Sequence, residues 1–227
     1  YAIYIHFVQS PQAANYIKKY NINDINGIAE DGTTFWRVKD KAAPHNAVTS
    51  TKKLLESAQS KKYKTTSTKE SVLKYTTDEV NLENGQGAVN VTIPHSNLQT
   101  VKYVYNEESK VYERYARKKE QKDWTTGKTV TTKNIIITFC DNYTLTDSEN
   151  KGRQGLKNIG TFDGYYITNG KAIKIKCIKN SREEKTIYQD LDGNIINVND
   201  GNTFVNICPI NSDVILEAPE TTDTNNT

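Results

Sequence analysis

The chain has 227 residues, 35% of them hydrophobic, which is enough for one large or two modest domains beneath a polar surface. Its 30 basic and 27 acidic side chains give a net charge of +3 with interspersed signs, so the sequence does not predict a nucleic-acid partner. No apolar run approaches the ~18 residues of a membrane-spanning helix, and the start lacks the pattern of a signal peptide.

The first eight residues have the composition of a strand that begins at residue one. A strand needs neighbours to satisfy its edge groups, and the sequence contains no Met. We therefore expect the natural chain to extend upstream. We expect any targeting signal to lie in that upstream part.

Strand and helix alternate in the first third of the chain. Ser10 followed by Pro11 is typical of a helix start and predicts a helix over about residues 12–20. Thr49 or Ser50 should cap a second helix that ends near residue 61.

The hydrophobic period changes to two after the polar, Gly-rich segment 78–87. Alternating apolar residues predict seven or eight mostly antiparallel strands, and Asn169-Gly170 and Asp192-Gly193 are strong hairpin signals. The predicted fold class is α+β, with a partial α/β first domain followed by a mostly antiparallel β domain. The predicted boundaries are 1–80 for the C-terminal part of the α/β domain, 81–87 for a linker, 88–216 for the β-rich domain and 217–227 for a disordered tail.

The three cysteines are Cys140, Cys177 and Cys208, and each lies in an apolar run. Their number is odd, and no Cys-x-x-Cys pair or Cys/His cluster occurs, so neither a disulfide framework nor a zinc site is predicted. We expect three small buried side chains. The sequence predicts no metal and no cofactor.

Several segments match one known family in order and spacing. In the first half these are Tyr4-Ile-His6, Ser10-Pro-Gln-Ala13, Phe35-Trp-Arg37 and Ala43-Pro-His-Asn46. In the second half they are 106–114, 123–134, 164–171, and Asp192-Gly193 with Gly201-Asn-Thr-Phe204. Over roughly residues 1–210 the chain resembles the YerB-like family of bacterial lipoproteins. It departs from that pattern at Cys177 and Phe204, where relatives carry Trp, at Val8-Gln9, where they carry Gly-Gly, and before Asp123, where a His is missing.

The resemblance implies an exported envelope lipoprotein, tethered by a lipidated Cys upstream of this sequence. It implies contact with the membrane only through that lipid. It also implies an α/β first domain, of which this sequence contains only the C-terminal part. It assigns no molecular activity.

Five polar residues near predicted strand ends and helix starts form the candidate ligand-binding set: His6, Ser10, Arg37, His45 and Asn46. Such crevices bind ligands in open α/β sheets. A loop histidine beside a helix start can serve as acid, base or anion ligand. The competing interpretation is structural: Ser10 caps a helix, His45 orders its loop, and Arg37 pairs with a nearby aspartate.

Tyrosines in the second half could form an exposed aromatic face for glycan or protein contact: Tyr103, Tyr105, Tyr112, Tyr115, Tyr165 and Tyr166. The alternative is that they are half-buried sheet residues whose hydroxyl groups reach solvent. The leading hypothesis is a non-catalytic envelope module that binds a cell-wall component or a partner protein. The competing hypothesis is a hydrolase or transferase of envelope substrates that uses His45 with Ser10 or Arg37.

Overall fold

A computed structural model of the chain describes residues 2–146 and 149–220 and divides it into two compact units, residues 1–70 and 71–227. Strands dominate the described residues, and the two helices lie in the first unit. The predicted α+β fold class is confirmed. Neither helix is long and apolar enough to cross a membrane.

The first unit contains four short strands and both helices. Their bounds are β1 Tyr4–His6, α1 Pro11–Lys19, β2 Asp24–Asn26, β3 Phe35–Arg37, β4 Ala47–Thr49 and α2 Thr51–Ser60. Strand β1 pairs with β2 in parallel, and β3 pairs with β4 antiparallel. Ile25, Phe35 and Ala58 form a small core, onto which Phe7 and Leu54 pack.

Both predicted helices are confirmed with their caps. The Ser10 hydroxyl accepts a hydrogen bond from the Ala13 amide at 3.1 Å, and Pro11 occupies the first turn of α1. Ser50, rather than Thr49, caps α2, because its hydroxyl accepts from the Lys53 amide at 3.3 Å. Side-chain acceptors at these positions satisfy amides that have no partner inside the helix.

The second unit is built from strands. Their bounds are β5 Lys74–Thr76, β6 Gln86–Gly87, β7 Asn90–Ser96, β8 Gln99–Asn106, β9 Val111–Ala116, β10 Lys119–Glu120, β11 Thr131–Thr132, β12 Asn134–Thr144, β13 Gln154–Lys157, β14 Gly160–Thr168, β15 Lys171–Lys179, β16 Ile187–Gln189, β17 Asn197–Asn199, β18 Thr203–Pro209 and β19 Ile215–Glu217. The prediction of seven or eight strands was too low. Many of the additional strands have only two to four residues, too few to show a hydrophobic period.

Two extended sheets, one of six strands and one of seven, form most of this unit. The smaller sheet has the order β10-β9-β8-β7-β19, and β11 also pairs with β9. The larger has the order β13-β12-β14-β15-β16, with β18 parallel to β12 and β6 beside β15. One core cluster gathers buried residues from both sheets, including Val91 and Tyr103 of the smaller and Ile135 and Ile167 of the larger. A second cluster contains Ile136, Tyr166 and Ile175 of the larger sheet.

A buried polar network links strands of the second unit. The Asn134 amide donates to the Asn199 carbonyl oxygen at 2.8 Å and accepts from the Tyr166 hydroxyl at 3.0 Å. The Asn199 amide donates to the Thr168 hydroxyl at 2.9 Å. Because buried polar groups are costly without partners, these bonds fix how β12, β14 and β17 meet.

The segment proposed as a linker belongs to the second unit. The Val80 amide donates to the Asn199 side-chain oxygen at 2.7 Å, Leu82 lies in the second core cluster, and Gln86–Gly87 pairs with β15. The linker at 81–87 and the boundary near 80 are therefore corrected to a division at 70/71. Its polar composition misled the prediction because its partners are distant in sequence.

The predicted disordered tail overlaps a strand at its first residue, Glu217. Ile215–Glu217 forms β19, which pairs with β7 through contacts such as Leu216 opposite Val91. The apolar run Val214-Ile215-Leu216 lies before the predicted tail, and pairing at the edge of the smaller sheet extends the strand by one residue to Glu217. The rest of the tail from residue 221 lies outside the described residues.

Candidate functional site

His6 is held by structural contacts in the first unit. Its Nε2 lies 2.9 Å from an Asp24 carboxylate oxygen, and its Nδ1 lies 3.3 Å from the Val8 carbonyl oxygen. The side chain is buried, and its ring stacks on Tyr4 with centroids 5.0 Å apart. Both ring nitrogens therefore have protein partners, and His6 joins the paired strands β1 and β2.

Arg37 and Asn46, two members of the candidate ligand-binding set, contact each other. The Arg37 Nε and Nη2 atoms each lie 3.0 Å from one Asp31 carboxylate oxygen, and Nη1 donates to the Asn46 side-chain oxygen at 2.9 Å. The guanidinium carbon lies 4.6 Å from the Phe7 ring centroid. A guanidinium that already contacts a carboxylate, a side-chain amide and an aromatic ring has few N–H groups left to bind a ligand.

Among the described residues, the side chains of Ser10 and His45 make no hydrogen bond to Arg37 or Asn46. Ser10 caps α1, which occupies its hydroxyl oxygen. His45 is exposed, and its backbone amide donates to the Ala42 carbonyl oxygen at 3.0 Å. Within the described residues, no hydrogen bond or ion pair joins the His45 ring to His6, Ser10 or Arg37. The contacts found here are mostly those of the structural interpretation.

The predicted aromatic face is largely a core. Tyr103, Tyr112 and Tyr166 are fully buried. The Tyr112 hydroxyl donates to the Ala88 carbonyl oxygen and accepts from the Gly170 amide, each at 3.0 Å. Burial raises the pKa of Tyr166 to about 12. The inward tyrosines are a correction to the exposed face: Tyr103 and Tyr112 lie in the core cluster shared by both sheets, and Tyr166 lies in the second core cluster.

Tyr115 remains half-buried and lines a groove of about 430 Å³ on the outer face of the smaller sheet. The Tyr115 groove is lined by Thr92, Thr100, Lys102, Val104, Tyr115 and Lys118. Register explains its floor: Lys102 of β8 lies opposite Thr92 on one neighbouring strand and opposite Tyr115 on the other. Directly paired residues share a face, so these three side chains stand in one row.

The charges around the Tyr115 groove are uneven. Glu120 pairs with Lys122 at 3.2 Å and accepts from the Thr129 hydroxyl, which together hold its pKa below the usual value. Glu113 accepts from the Tyr115 hydroxyl at 3.4 Å. Neither Lys102 nor Lys118 has an ion-pair partner in the described part of the chain. Among the same described residues Glu113 also has no ion-pair partner, so two lysines and one carboxylate are left without counter-ions around the groove.

A tight turn places Lys118 at the groove. Arg117 and Lys118 connect β9 to β10, with φ values of 52° and 63°. Two-residue hairpins favour positive φ at both positions, and Asn-Gly usually fills them because other L-residues are strained there. The Arg117 Nε donates to the Gln99 side-chain oxygen at 2.8 Å, which fixes the neighbouring side chain.

A second groove of about 370 Å³ lies on the larger sheet around Tyr165. Tyr165 meets Phe139 edge to face at 6.1 Å, and Lys174 and Lys176 line the same groove. Here a carboxylate is present, since Lys176 contacts Asp163 at 2.6 Å. This groove is therefore closer to neutral than the Tyr115 groove.

Thiol chemistry is disfavoured where the cysteines lie. All three are free and buried, as predicted. Burial raises the pKa of Cys177 to about 11 and that of Cys208 to about 12, so both stay protonated near neutral pH. Among the described residues, no group of three or more His, Cys, Asp or Glu side chains is arranged to hold a metal ion.

Family models for the N-terminal and C-terminal domains of DUF3048, a protein of unknown function, match residues 1–64 and 89–205. The chain belongs to the DUF3048 family. The Bacillus subtilis protein described as "Putative lipoprotein YerB" is 27% identical to this DUF3048 chain over 222 residues. That match covers 92% of this chain and 61% of the relative, so the chain spans less than two thirds of the relative's length.

The crystal structure of the Bacillus subtilis YerB protein has the same fold, with a TM-score of 0.79 and 24% identity. The likeness covers 94% of the DUF3048 chain and 70% of the solved one. The resemblance inferred from ordered motifs is thereby confirmed as a family relationship. Sequence reasoning missed Lys102 and Lys118 as a pair, because only the strand register and the turn bring them to one groove.

Proposed function

We propose that this DUF3048 chain is an extracytoplasmic binding module of a membrane-anchored lipoprotein, which holds a cell-wall component without altering it chemically. The description of the Bacillus subtilis relative as a lipoprotein supports this location. In this proposal the lipid is attached upstream of residue 1 and provides the membrane contact. The wall lies within reach of a module tethered in this way.

The Tyr115 groove carries the proposal. It combines an aromatic ring, threonine hydroxyls and two lysines on a sheet face that does not contribute to the core. Its volume lies in the range of roughly 300–1,000 Å³ that is usual for small-ligand sites. The first unit supports a non-catalytic role, because His6, Ser10 and Arg37 have structural partners.

Co-sedimentation with purified, insoluble cell-wall sacculi tests this function. We expect the wild-type chain to sediment with the walls, and Tyr115→Ala to bind about tenfold more weakly, a loss of about 1.4 kcal/mol. Tyr143→Ala is the matched control, since Tyr143 is an exposed tyrosine of the larger sheet outside both grooves. Wild-type protein that stays in the supernatant would exclude wall binding. Equal retention of the wild type and Tyr115→Ala would exclude the groove.

A further inference from the structure

We infer that the wall component is an anionic polymer whose repeating units join a phosphodiester or carboxylate to an uncharged sugar or polyol. This inference rests on the proposed function and names the chemistry that the Tyr115 groove selects. The geometry places the anionic groups near Lys102 and Lys118. It places the uncharged units along Tyr115, Val104 and the threonines.

The first argument is charge. Of the six residues that line the groove, two are lysines and none is acidic. Lys102 is half-buried and Lys118 exposed, and neither contacts a carboxylate among the described residues. An ammonium beside a partly dehydrated sheet face gains from an anion that replaces its lost water contacts. A neutral glycan would leave both charges without a partner.

The second argument is the arrangement of the nearby acids. Glu113 accepts hydrogen bonds from the Tyr115 hydroxyl and from the Asn106 amide, both at 3.4 Å. Glu120 is engaged by Lys122 and the Thr129 hydroxyl. Strand pairing places both acids on the face of the groove, Glu113 opposite Val104 and Glu120 opposite Tyr115, and these contacts engage their carboxylates. With Glu120 paired to Lys122, the described residues on this side leave two lysines and the single carboxylate of Glu113 without ion-pair partners, so an incoming anion meets a net positive charge.

The third argument is the remaining lining. Val104 and the Tyr115 ring offer apolar surface, while Thr92 and Thr100 offer hydroxyls that both donate and accept. Alternating hydroxyl and carbon surfaces of a sugar or polyol match such a mixture. A groove of about 430 Å³ is also far larger than a single phosphate or carboxylate needs. A chain with spaced charges uses both the lysines and the surface between them.

The fourth argument is the turn. An Arg117-Lys118 pair with both φ values positive is strained where Asn-Gly would be relaxed. A strained residue at a surface groove is the pattern expected when the side chain serves binding. Lys118 fits this pattern, because it has a positive φ in the turn and its side chain lines the groove.

Equilibrium binding to three soluble polymers tests the ligand chemistry. The probes are poly(glycerol phosphate), polygalacturonate and an uncharged chito-oligosaccharide. We expect the two anionic polymers to bind, with an affinity that falls as salt rises from 50 to 500 mM, because screening weakens charge pairs. The uncharged oligosaccharide should bind at least tenfold more weakly. The stronger of the two anionic polymers identifies phosphodiester or carboxylate as the preferred group.

Variants of the two lysines locate the effect. The double variant Lys102→Gln with Lys118→Gln should lose at least tenfold in affinity for the anionic polymer, while Lys102→Arg with Lys118→Arg should retain it. Lys157→Gln is the control, since it removes an exposed lysine of the larger sheet outside both grooves. Unchanged thermal unfolding verifies that each variant is folded.

Two outcomes would overturn the inference while leaving wall binding intact. One is sedimentation with sacculi that persists at full strength after the anionic polymers have been stripped from the walls. The other is equal affinity of the wild type and the double glutamine variant for the anionic probes. Vesicles containing anionic lipid form a separate arm. Lysine-dependent binding to vesicles but not to the polymers would replace a wall polymer by the membrane surface.

Discussion

Replacing Lys118 by glycine should stabilise the second unit while it weakens binding. The φ of 63° at Lys118 lies in the left-handed region, which costs an L-residue with a Cβ about 1–2 kcal/mol. Glycine removes this cost, but it also adds conformational freedom to the unfolded chain. That freedom lowers the free energy of unfolding by about 0.4–1 kcal/mol. The net gain in the free energy of unfolding is about 0.5–1 kcal/mol, which raises the unfolding midpoint by about 1–4 °C.

The same change removes an ammonium from the Tyr115 groove. A hydrogen bond to a charged group contributes about 1.5 kcal/mol or more, so the affinity for an anionic wall polymer should fall about tenfold. Thermal unfolding followed by circular dichroism and a binding isotherm on the same preparation measure the two effects. We expect the unfolding midpoint to rise and the affinity to fall, because glycine relieves the strain of the turn and removes the side chain that binds the polymer.

Lys62→Gly is the matched control. Lys62 is an exposed lysine of the first unit with a φ of 58°, so glycine should also stabilise there, but polymer binding should not change. A lower unfolding midpoint for Lys118→Gly beside a raised one for Lys62→Gly would refute the strain argument. An unchanged binding isotherm for Lys118→Gly would remove this residue from the site.

Three further predictions concern stability. Ser10→Ala should lower the free energy of unfolding of the first unit by about 1 kcal/mol and Ser10→Asp by much less, because aspartate also caps helices; equal urea midpoints for wild type and Ser10→Ala would contradict the capping role. Asn199→Ala should lower the free energy of unfolding of the second unit by about 2–4 kcal/mol in urea denaturation, because it leaves the Val80 amide without its acceptor and removes the hydrogen bond to Thr168. Asn142 is exposed, so Asn142→Ala should lower it by less than about 0.5 kcal/mol. Burial raises the pKa of Cys177 to about 11 and of Tyr188 to about 12, above their unfolded values of about 8.5 and 10. Both groups therefore favour the folded chain fully below about pH 8.5, and this contribution is lost as pH rises through 11; a urea midpoint that is the same at pH 8 and pH 11 would contradict this.

Local sequence patterns predicted what depends on neighbours along the chain. Ser10-Pro11 marked the start of α1 because a cap and a fixed φ act within one turn. Alternation placed Val91 and Ile93 on the core side of β7, and both are fully buried. Tyr103 and Tyr105 are likewise two residues apart, and both pack in the first core cluster.

Pairings between distant segments could not be predicted in this way. Strand β5 pairs in parallel with β17, more than one hundred residues later, and each has only three residues. The same difficulty applies to the candidate site. Lys102 and Tyr115 were visible as members of alternating runs, but their direct pairing depends on the β8–β9 register. Lys118 gave no turn signal, because Arg-Lys is an unusual occupant of a tight hairpin.

The position of the Tyr115 groove makes binding separable from folding. Thr92, Lys102 and Tyr115 alternate along their strands with Val91, Val101 and the inward-facing Arg114, which contacts the core residue Tyr103. Truncation of an outward side chain leaves the core cluster and the buried network intact, since those depend on the opposite face. Variants of the groove should therefore lose ligand without losing structure. A catalytic arrangement of His6 or Arg37 would lack this separation, because each of these residues also supports the first unit.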